Sequence, residues 1–271
     1  MALDPRLLER PPWSALTTVH SKFALGSDLA RRYPATIAPM AGVREISDAS
    51  LNALAALMTP GDVVGLFGPE PVLEAPVLEA GDLLVIAHKH IEQMTCDRQD
   101  NSPHIGHITE LTPADVPDML HLVELTKPGP FSAGAIVLGS YLGIRCAGNL
   151  IAVAGERMRF DGFTEISAVC THPGFRGCGY ASSLVRALVR QIIARGEIPF
   201  LHLYSDNTIA ATLYTKLGFA LQRRLIVTVL RRGLTCEGET SSTERRNVQS
   251  RGQVRKTDKQ PKFKLYRITG T

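Results

Sequence analysis

Beyond about residue 105, apolar positions recur with two periods, and the alternation between them lays out a fold. Residues 107–111 make a short strand, and Thr112-Pro113-Ala114-Asp115 supplies an N-cap with proline in the first turn. Val116, Met119, Leu120, Leu122, Val123 and Leu125 then recur at helical spacing until Lys127-Pro128-Gly129-Pro130 stops them. Residues 141–146 and 150–158 alternate around Ala147-Gly148-Asn149, which predicts a hairpin, and Phe160-Asp161-Gly162 turns the chain into a strand over 163–171. A glycine-punctuated turn leads to a helix over 182–194, a strand over 198–204, a helix opening at Asp206 or Asn207 and closing before Gly218, and a strand over 220–230. The predicted order is β-α-β-β-β-α-β-α-β, an α/β (α+β) fold on a mixed central sheet.

The first hundred residues carry weaker periodicity. They predict a helix ending at 30–33, a clearer helix over 48–58 with Leu51, Leu54, Ala55 and Met58 on one face, and strands over 63–67 and 83–87. Pro71-Val72-Leu73-Glu74-Ala75 is repeated at once over 76–80, which reads as a loop expansion. The chain therefore divides into a smaller N-terminal lobe (1–104), a domain over 105–232 and a tail over 233–271.

Charge sharpens that division. The whole chain carries +4, whereas the tail alone holds nine Lys or Arg against four Asp or Glu. The tail has no sustained apolar periodicity and is expected to be disordered, with Phe263, Leu265 and Tyr266 near its end. Its basic excess raises nucleic acid as a partner, but a solvated tail explains it more simply. No apolar stretch approaches the ~20 residues needed to span a bilayer, so no membrane partner is expected. Pro5, Arg6, Glu9, Arg10, Pro11 and Pro12 interrupt any leader-like apolar run. The five cysteines form an odd set without paired metal spacing, which predicts reduced thiols, a cytoplasmic location and no metal; Cys170, His172 and Cys178 are too few for a structural site.

The chemistry concentrates between Val169 and Ser182. In Val169-Cys170-Thr171-His172-Pro173-Gly174-Phe175-Arg176-Gly177-Cys178-Gly179-Tyr180-Ala181-Ser182, a strand end, a turn and a helix start follow in order. The backbone N–H groups of Arg176, Gly177, Cys178, Gly179, Tyr180, Ala181 and Ser182 can converge at the helix N-terminus, where a phosphate is attracted. Gly177 and Gly179 allow close approach, and Arg176 adds a positive fork. The plainer reading is a turn that needs glycine only to turn. A P-loop is disfavoured because Tyr180-Ala181 stands where Lys and Ser or Thr would follow, and a dinucleotide fingerprint because no acid follows at the required distance.

A second segment, Asn207-Thr208-Ile209-Ala210-Ala211-Thr212-Leu213-Tyr214-Thr215-Lys216-Leu217-Gly218-Phe219, follows the next strand. Together, Arg176-x-x-Gly179-x-Ala181 and Asn207-x-x-Ala210-x-x-x-Tyr214-x-x-x-Gly218-Phe219 resemble the acetyl-coenzyme A motifs of the GCN5-related N-acetyltransferases. A short lobe before a complete catalytic lobe resembles the FR47-like branch, which is similar to glycine N-acyltransferases, and makes residues 1–104 a candidate degenerate acetyltransferase-like half. The resemblance covers residues 105–230.

The resemblance implies acetyl-CoA as cosubstrate, a primary amine as acceptor, on a small molecule or a protein, and direct attack in a ternary complex. It implies that Glu165 is the base, against the plainer reading of a solvent-facing or ion-paired strand residue, and that Tyr214 is the group that protonates the departing thiolate, against a core aromatic with a satisfied hydroxyl. It further implies that Val169, Cys170 and Thr171 pair with the pantetheine arm, that Arg176 to Ser182 hold the pyrophosphate, and that Asn207 bonds the pantetheine amides. Strand parity puts Glu165 on one face with Ser167, Val169 and Thr171, and Cys170 on the other. Cys170 as an acylated nucleophile is the less favoured route, because no activating partner is visible. The acceptor is expected to be selected by the loop over 128–139 and by the N-terminal lobe. The histidines, His202 among them, read as structural. A non-catalytic acyl-CoA sensor and a tail-led nucleic-acid or ribosome-associated protein are the competing functions; oligomeric state is left open.

Overall fold

The computed structural model describes residues 4–71, 82–98 and 102–233. The repeat at 71–80 lies almost wholly outside the described residues, and so does the tail apart from Gly233.

Helix α1 (Pro11–Thr17) precedes strands β1 (Leu25–Gly26), β2 (Ala30–Arg32) and β3 (Met40–Val43), then α2 (Asp48–Ala56), β4 (Val63–Gly68) and β5 (Leu83–Thr95). There follow β6 (Ile108–Glu110), α3 (Val116–Thr126), β7 (Tyr141–Cys146), β8 (Asn149–Phe160), β9 (Phe163–Thr171), α4 (Tyr180–Ala194), β10 (Ile198–Tyr204), α5 (Thr208–Lys216) and β11 (Ala220–Arg232). The eleven strands among the described residues form one sheet in the order β1-β2-β3-β4-β11-β5-β10-β9-β8-β7-β6.

The elements after residue 105 form where the periodicity places them. Thr112 and Asp115 make a reciprocal capping box ahead of α3, and Lys127, in the left-handed region at φ 51°, ends it. Helix α4 buries Leu184, Val185, Leu188, Val189 and Ile192, a single stripe, against β8 and β9. Helix α3 covers the opposite face with Met119, Leu122 and Val123. Strand β8, flanked by β7 and β9 and covered on both faces, is buried from Leu150 through Glu156.

The N-terminal half departs from expectation twice. Residues 30–33 do not end a helix: Ala30–Arg32 is strand β2, paired with β1 and β3, and Arg32 is fixed by an ion pair with Asp62 at 2.7 Å. Backbone pairing here overrides the helical preference of Ala and Arg. The strand expected over 83–87 runs on to Thr95, because it is hydrogen-bonded on one edge by β11 and on the other by β10. The continuation His88-Lys89-His90 is polar and gives no strand signal of its own. The 104/105 division thus falls between strands of one sheet, and the N-terminal stretch lends β5 to the half that carries the motifs.

Candidate active site

The site grows from a separation of two strands. β10 runs parallel to β9 only from Ile198 opposite Phe163 to Phe200 opposite Glu165; beyond that pair the two strands share no ladder. The backbone groups of residues 166–171 that face β10 are therefore left without that neighbour. On the other edge of β9, the register with β8 slips between Cys170–Val153 and Ser167–Gly155, and Ala168 sits at φ 53°. This is a β-bulge, which re-aims the groups beside it.

The bulge corrects the simple alternation. Ile166 and Val169 both pack toward α4, whereas Ala168 and Cys170 pack toward α3. Val169 therefore does not share a face with Glu165, and Cys170, expected on the face opposite Glu165, lies on the α3 side with Glu165 instead.

At the far end of β9, His172 Nδ1 accepts from the Gly174 amide at 3.1 Å and the chain reaches the glycine turn. Gly177 and Gly179 stand at φ 77° and 80°, the region where a Cβ is strained, and Gly179 caps α4. The first intrahelical bond runs from Ser183 N–H to Gly179 C=O at 3.0 Å. The amides through Ser182 thus have no acceptor within the helix, and Arg176 and the exposed Cys178 flank them. Across the strand separation, the Asn207 Oδ1 accepts from the Ala210 amide at 3.0 Å and caps α5. Its Nδ2 is buried without a hydrogen-bond partner, as is Thr171 Oγ1. Buried orphaned polar atoms are rare in folded proteins, and two of them sit on the two elements that border the opening. Tyr214, on α5, packs edge-on to Phe219 with ring centroids 5.8 Å apart; burial, with the Cys170 thiol nearby, pushes its hydroxyl well above the usual range. Burial also raises the Cys170 thiol to about 11, so it stays protonated at neutral pH.

Glu165 takes the ion-paired arrangement. Its side chain is 1% exposed, its Oε2 accepts from Arg157 Nε at 2.8 Å, and its Oε1 accepts from Arg157 Nη2 at 2.6 Å and lies 2.8 Å from His202 Nδ1. Burial opposes ionisation, but the guanidinium and the imidazole bond outweigh it and hold the carboxyl at about 2. A carboxylate so held is a poor proton acceptor and is not presented to an acceptor directly. It positions Arg157 and His202 instead.

A hydrogen-bonded line crosses four adjacent strands here: Arg157 on β8, Glu165 on β9, His202 on β10 and Gln93 on β5. The Gln93 Nε2 lies 3.0 Å from His202 Nε2 and donates to the Leu8 carbonyl at 3.0 Å. With the amide donating to Nε2, the imidazole carries its proton on Nδ1 and donates to Glu165. Arg157, His202, Ser167 and Ala168 open onto a cavity of about 600 Å3 whose other walls come from residues 128–132 and from the N-terminal stretch. Sequence reasoning missed Arg157 and Gln93 and placed His202 among structural residues; the one available signal for Arg157 was a charged pair, Glu156-Arg157, inside an otherwise apolar strand. Among the described residues no group of three or more His, Cys, Asp or Glu side chains could hold a metal ion, and no helix is long and apolar enough to cross a membrane.

A parallel pair that separates beside a bulge and a glycine-capped helix can be compared with known folds. An acetyltransferase of the GNAT family from Novosphingobium aromaticivorans superposes with a TM-score of 0.75 at 36% identity, covering 83% of this chain and 98% of that one. The chain belongs to the GNAT family. The family model described as FR47-like protein matches residues 141–227. A GCN5-related N-acetyltransferase from Kribbella flavida, at 16% identity, shares the fold with a TM-score of 0.56 over 86% of this chain and 96% of its own. A GCN5-related N-acetyltransferase-like protein from Streptococcus suis does so with a TM-score of 0.51 at 13% identity, over 82% and 93%. No curated protein matches. Membership supports an acyltransferase, and the mixed sheet with its flanking helices is the GNAT fold expected from the motifs.

Proposed function

We propose that the protein transfers an acetyl group from acetyl-CoA to a primary amine by direct attack in a ternary complex. The observation that carries this reading is the pair of orphaned groups, Asn207 Nδ2 and Thr171 Oγ1, on the elements bordering the β9–β10 opening. Both would be satisfied by the amides of a pantetheine arm lying there. The glycine turn from Arg176 to Ser182 suits the pyrophosphate, and the backbone of Val169, Cys170 and Thr171 suits the arm itself.

Acetyl-CoA supplies an acyl group activated as a thioester. The chain's part is to hold it and to move protons. An N–H near the Ala168 bulge polarises the acyl carbonyl. Tyr214, kept protonated, donates to the departing thiolate. The acceptor enters from the cavity, where Ser167 and Ala168 of β9 face Leu203 and Tyr204 of β10. His202, oriented by Glu165 at Nδ1, would accept the amine's proton at Nε2 by giving up its bond from the Gln93 amide, so Glu165 acts through the imidazole. The protonated Cys170 favours direct transfer over an acylated cysteine. An acyl-CoA sensor would need the N-terminal lobe to close the acceptor side, but a cavity remains there.

The test is release of coenzyme A from acetyl-CoA across a panel of amines. Turnover that falls at least tenfold in Tyr214→Phe and in His202→Gln, with acetyl-CoA affinity kept, supports the roles. Wild-type rates in both variants remove them.

A further inference from the structure

The cavity beside the strand opening has a charge balance that selects among amines. Its charged lining residues are Arg32, Asp62, Lys89 and Arg157. Arg32 is neutralised by Asp62 at 2.7 Å, and Arg157 by Glu165 at 2.6 Å. Lys89, half-buried on β5, has no ion-pair partner among the described residues. The rest of the wall is mainly apolar, with Met40, Phe67, Phe131 and Val227 prominent. A net positive charge therefore faces a mainly apolar space of about 600 Å3.

Arg157 adds a directional donor to that charge. Its bonds to Glu165 use Nε and Nη2, so the Nη1 edge makes no hydrogen bond among the described residues, and the side chain keeps 17% exposure where it meets the cavity. Because the Glu165 carboxylate locks two nitrogens, the guanidinium presents its remaining edge without losing rotamer freedom on binding.

We infer that the acceptor is an amine carrying a carboxylate, held by Lys89 and the free edge of Arg157 while its amino group faces the strand opening. The inference rests on the acyl-transfer reading and deepens it. A polycationic acceptor would meet Lys89 and Arg157 with no uncommitted acid among the described lining residues to receive it, because Asp62 is paired with Arg32 and Glu165 with Arg157. A carboxylate-bearing amine balances the residual charge and satisfies the unused donors.

The experiment compares matched acceptors in the full chain: glycine with methylamine, leucine with 3-methylbutylamine, phenylalanine with phenethylamine, and spermidine as a polycation. Coenzyme A release is measured for the wild type, Lys89→Met and Lys89→Arg. The expected result is a kcat/KM at least about tenfold higher for a carboxylate-bearing member than for its partner, with that preference lost in Lys89→Met through KM rather than kcat and restored in Lys89→Arg. Equal or better turnover of the partner amines or of spermidine overturns the inference while leaving acyl transfer intact. If no amine releases coenzyme A, the acyl-transfer reading fails, and calorimetry with N-acetylphenylalanine decides the site separately. Binding that Lys89→Met weakens about tenfold upholds a carboxylate site, and absence of binding overturns it.

Discussion

Arg157 grips Glu165 with two parallel bonds, Nε to Oε2 at 2.8 Å and Nη2 to Oε1 at 2.6 Å, beneath the wall of the acceptor cavity. The pair is almost closed to solvent, so its energetic sign depends on both partners staying together. Glu165→Gln leaves a buried guanidinium without its counter-charge and is expected to lower unfolding free energy by about 3–5 kcal/mol in a urea titration. Replacing both residues by leucine should recover most of that loss while abolishing acceptor selection. A neutral outcome for Glu165→Gln alone would show that the pair is not what holds this wall.

His20 offers an independent test at a distance from the site. It is buried, its Nδ1 lies 2.9 Å from the Tyr33 hydroxyl, and burial, with Lys22 adding to it, lowers its pKa from 6.5 to about 4. The folded state therefore prefers the neutral ring, while the unfolded chain binds a proton below pH 6.5. Stability should rise with pH between about 4 and 6.5, by roughly 3 kcal/mol over the window. His20→Gln should flatten that slope in denaturant titrations at stepped pH. Glu165 acts in the same direction further into acid: its contribution is complete above pH 4.5 and is lost as pH falls toward about 2.

Asn207 has two separable duties. Asn207→Asp keeps an oxygen to accept from the Ala210 amide, so α5 stays capped, but it loses the buried Nδ2 donor. Acetyl-CoA affinity should fall about five- to tenfold, with a melting temperature within about 2 °C of the wild type. Unchanged affinity would reduce Asn207 to a helix cap.

Much of the catalytic half was legible because its signals are local. The spacing of Leu184, Val185, Leu188, Val189 and Ile192 announces α4, and Gly177 and Gly179 mark a turn that needs positive φ. Three features were not legible, each for a physical reason. The extension of β5 through His88-Lys89-His90 depends on partners more than a hundred residues away. The bulge at Ala168 leaves no residue-type signature, yet it reverses the facing of Val169 relative to Glu165. The pairing of Arg157 with Glu165 joins neighbouring strands, so Glu165 reads in sequence as an accessible base when the fold gives both its oxygens partners.

Gly179 tests the helix-capping turn. A Cβ there would meet Ile105 Cδ1 at 2.9 Å and would sit at φ 80°. Gly179→Ala is expected to cost about 1–2 kcal/mol of stability and to weaken acetyl-CoA binding more than tenfold, because the amides of the turn shift together. A variant that is destabilised yet binds normally would separate the turn from the cosubstrate.

The central claim is that the β9–β10 opening and the Arg176 to Ser182 turn together receive acetyl-CoA. Isothermal titration of the full chain with acetyl-CoA measures this directly. A saturable heat with one site per chain, absent in Gly179→Val, is the predicted result; no heat with the folded wild-type protein would contradict it.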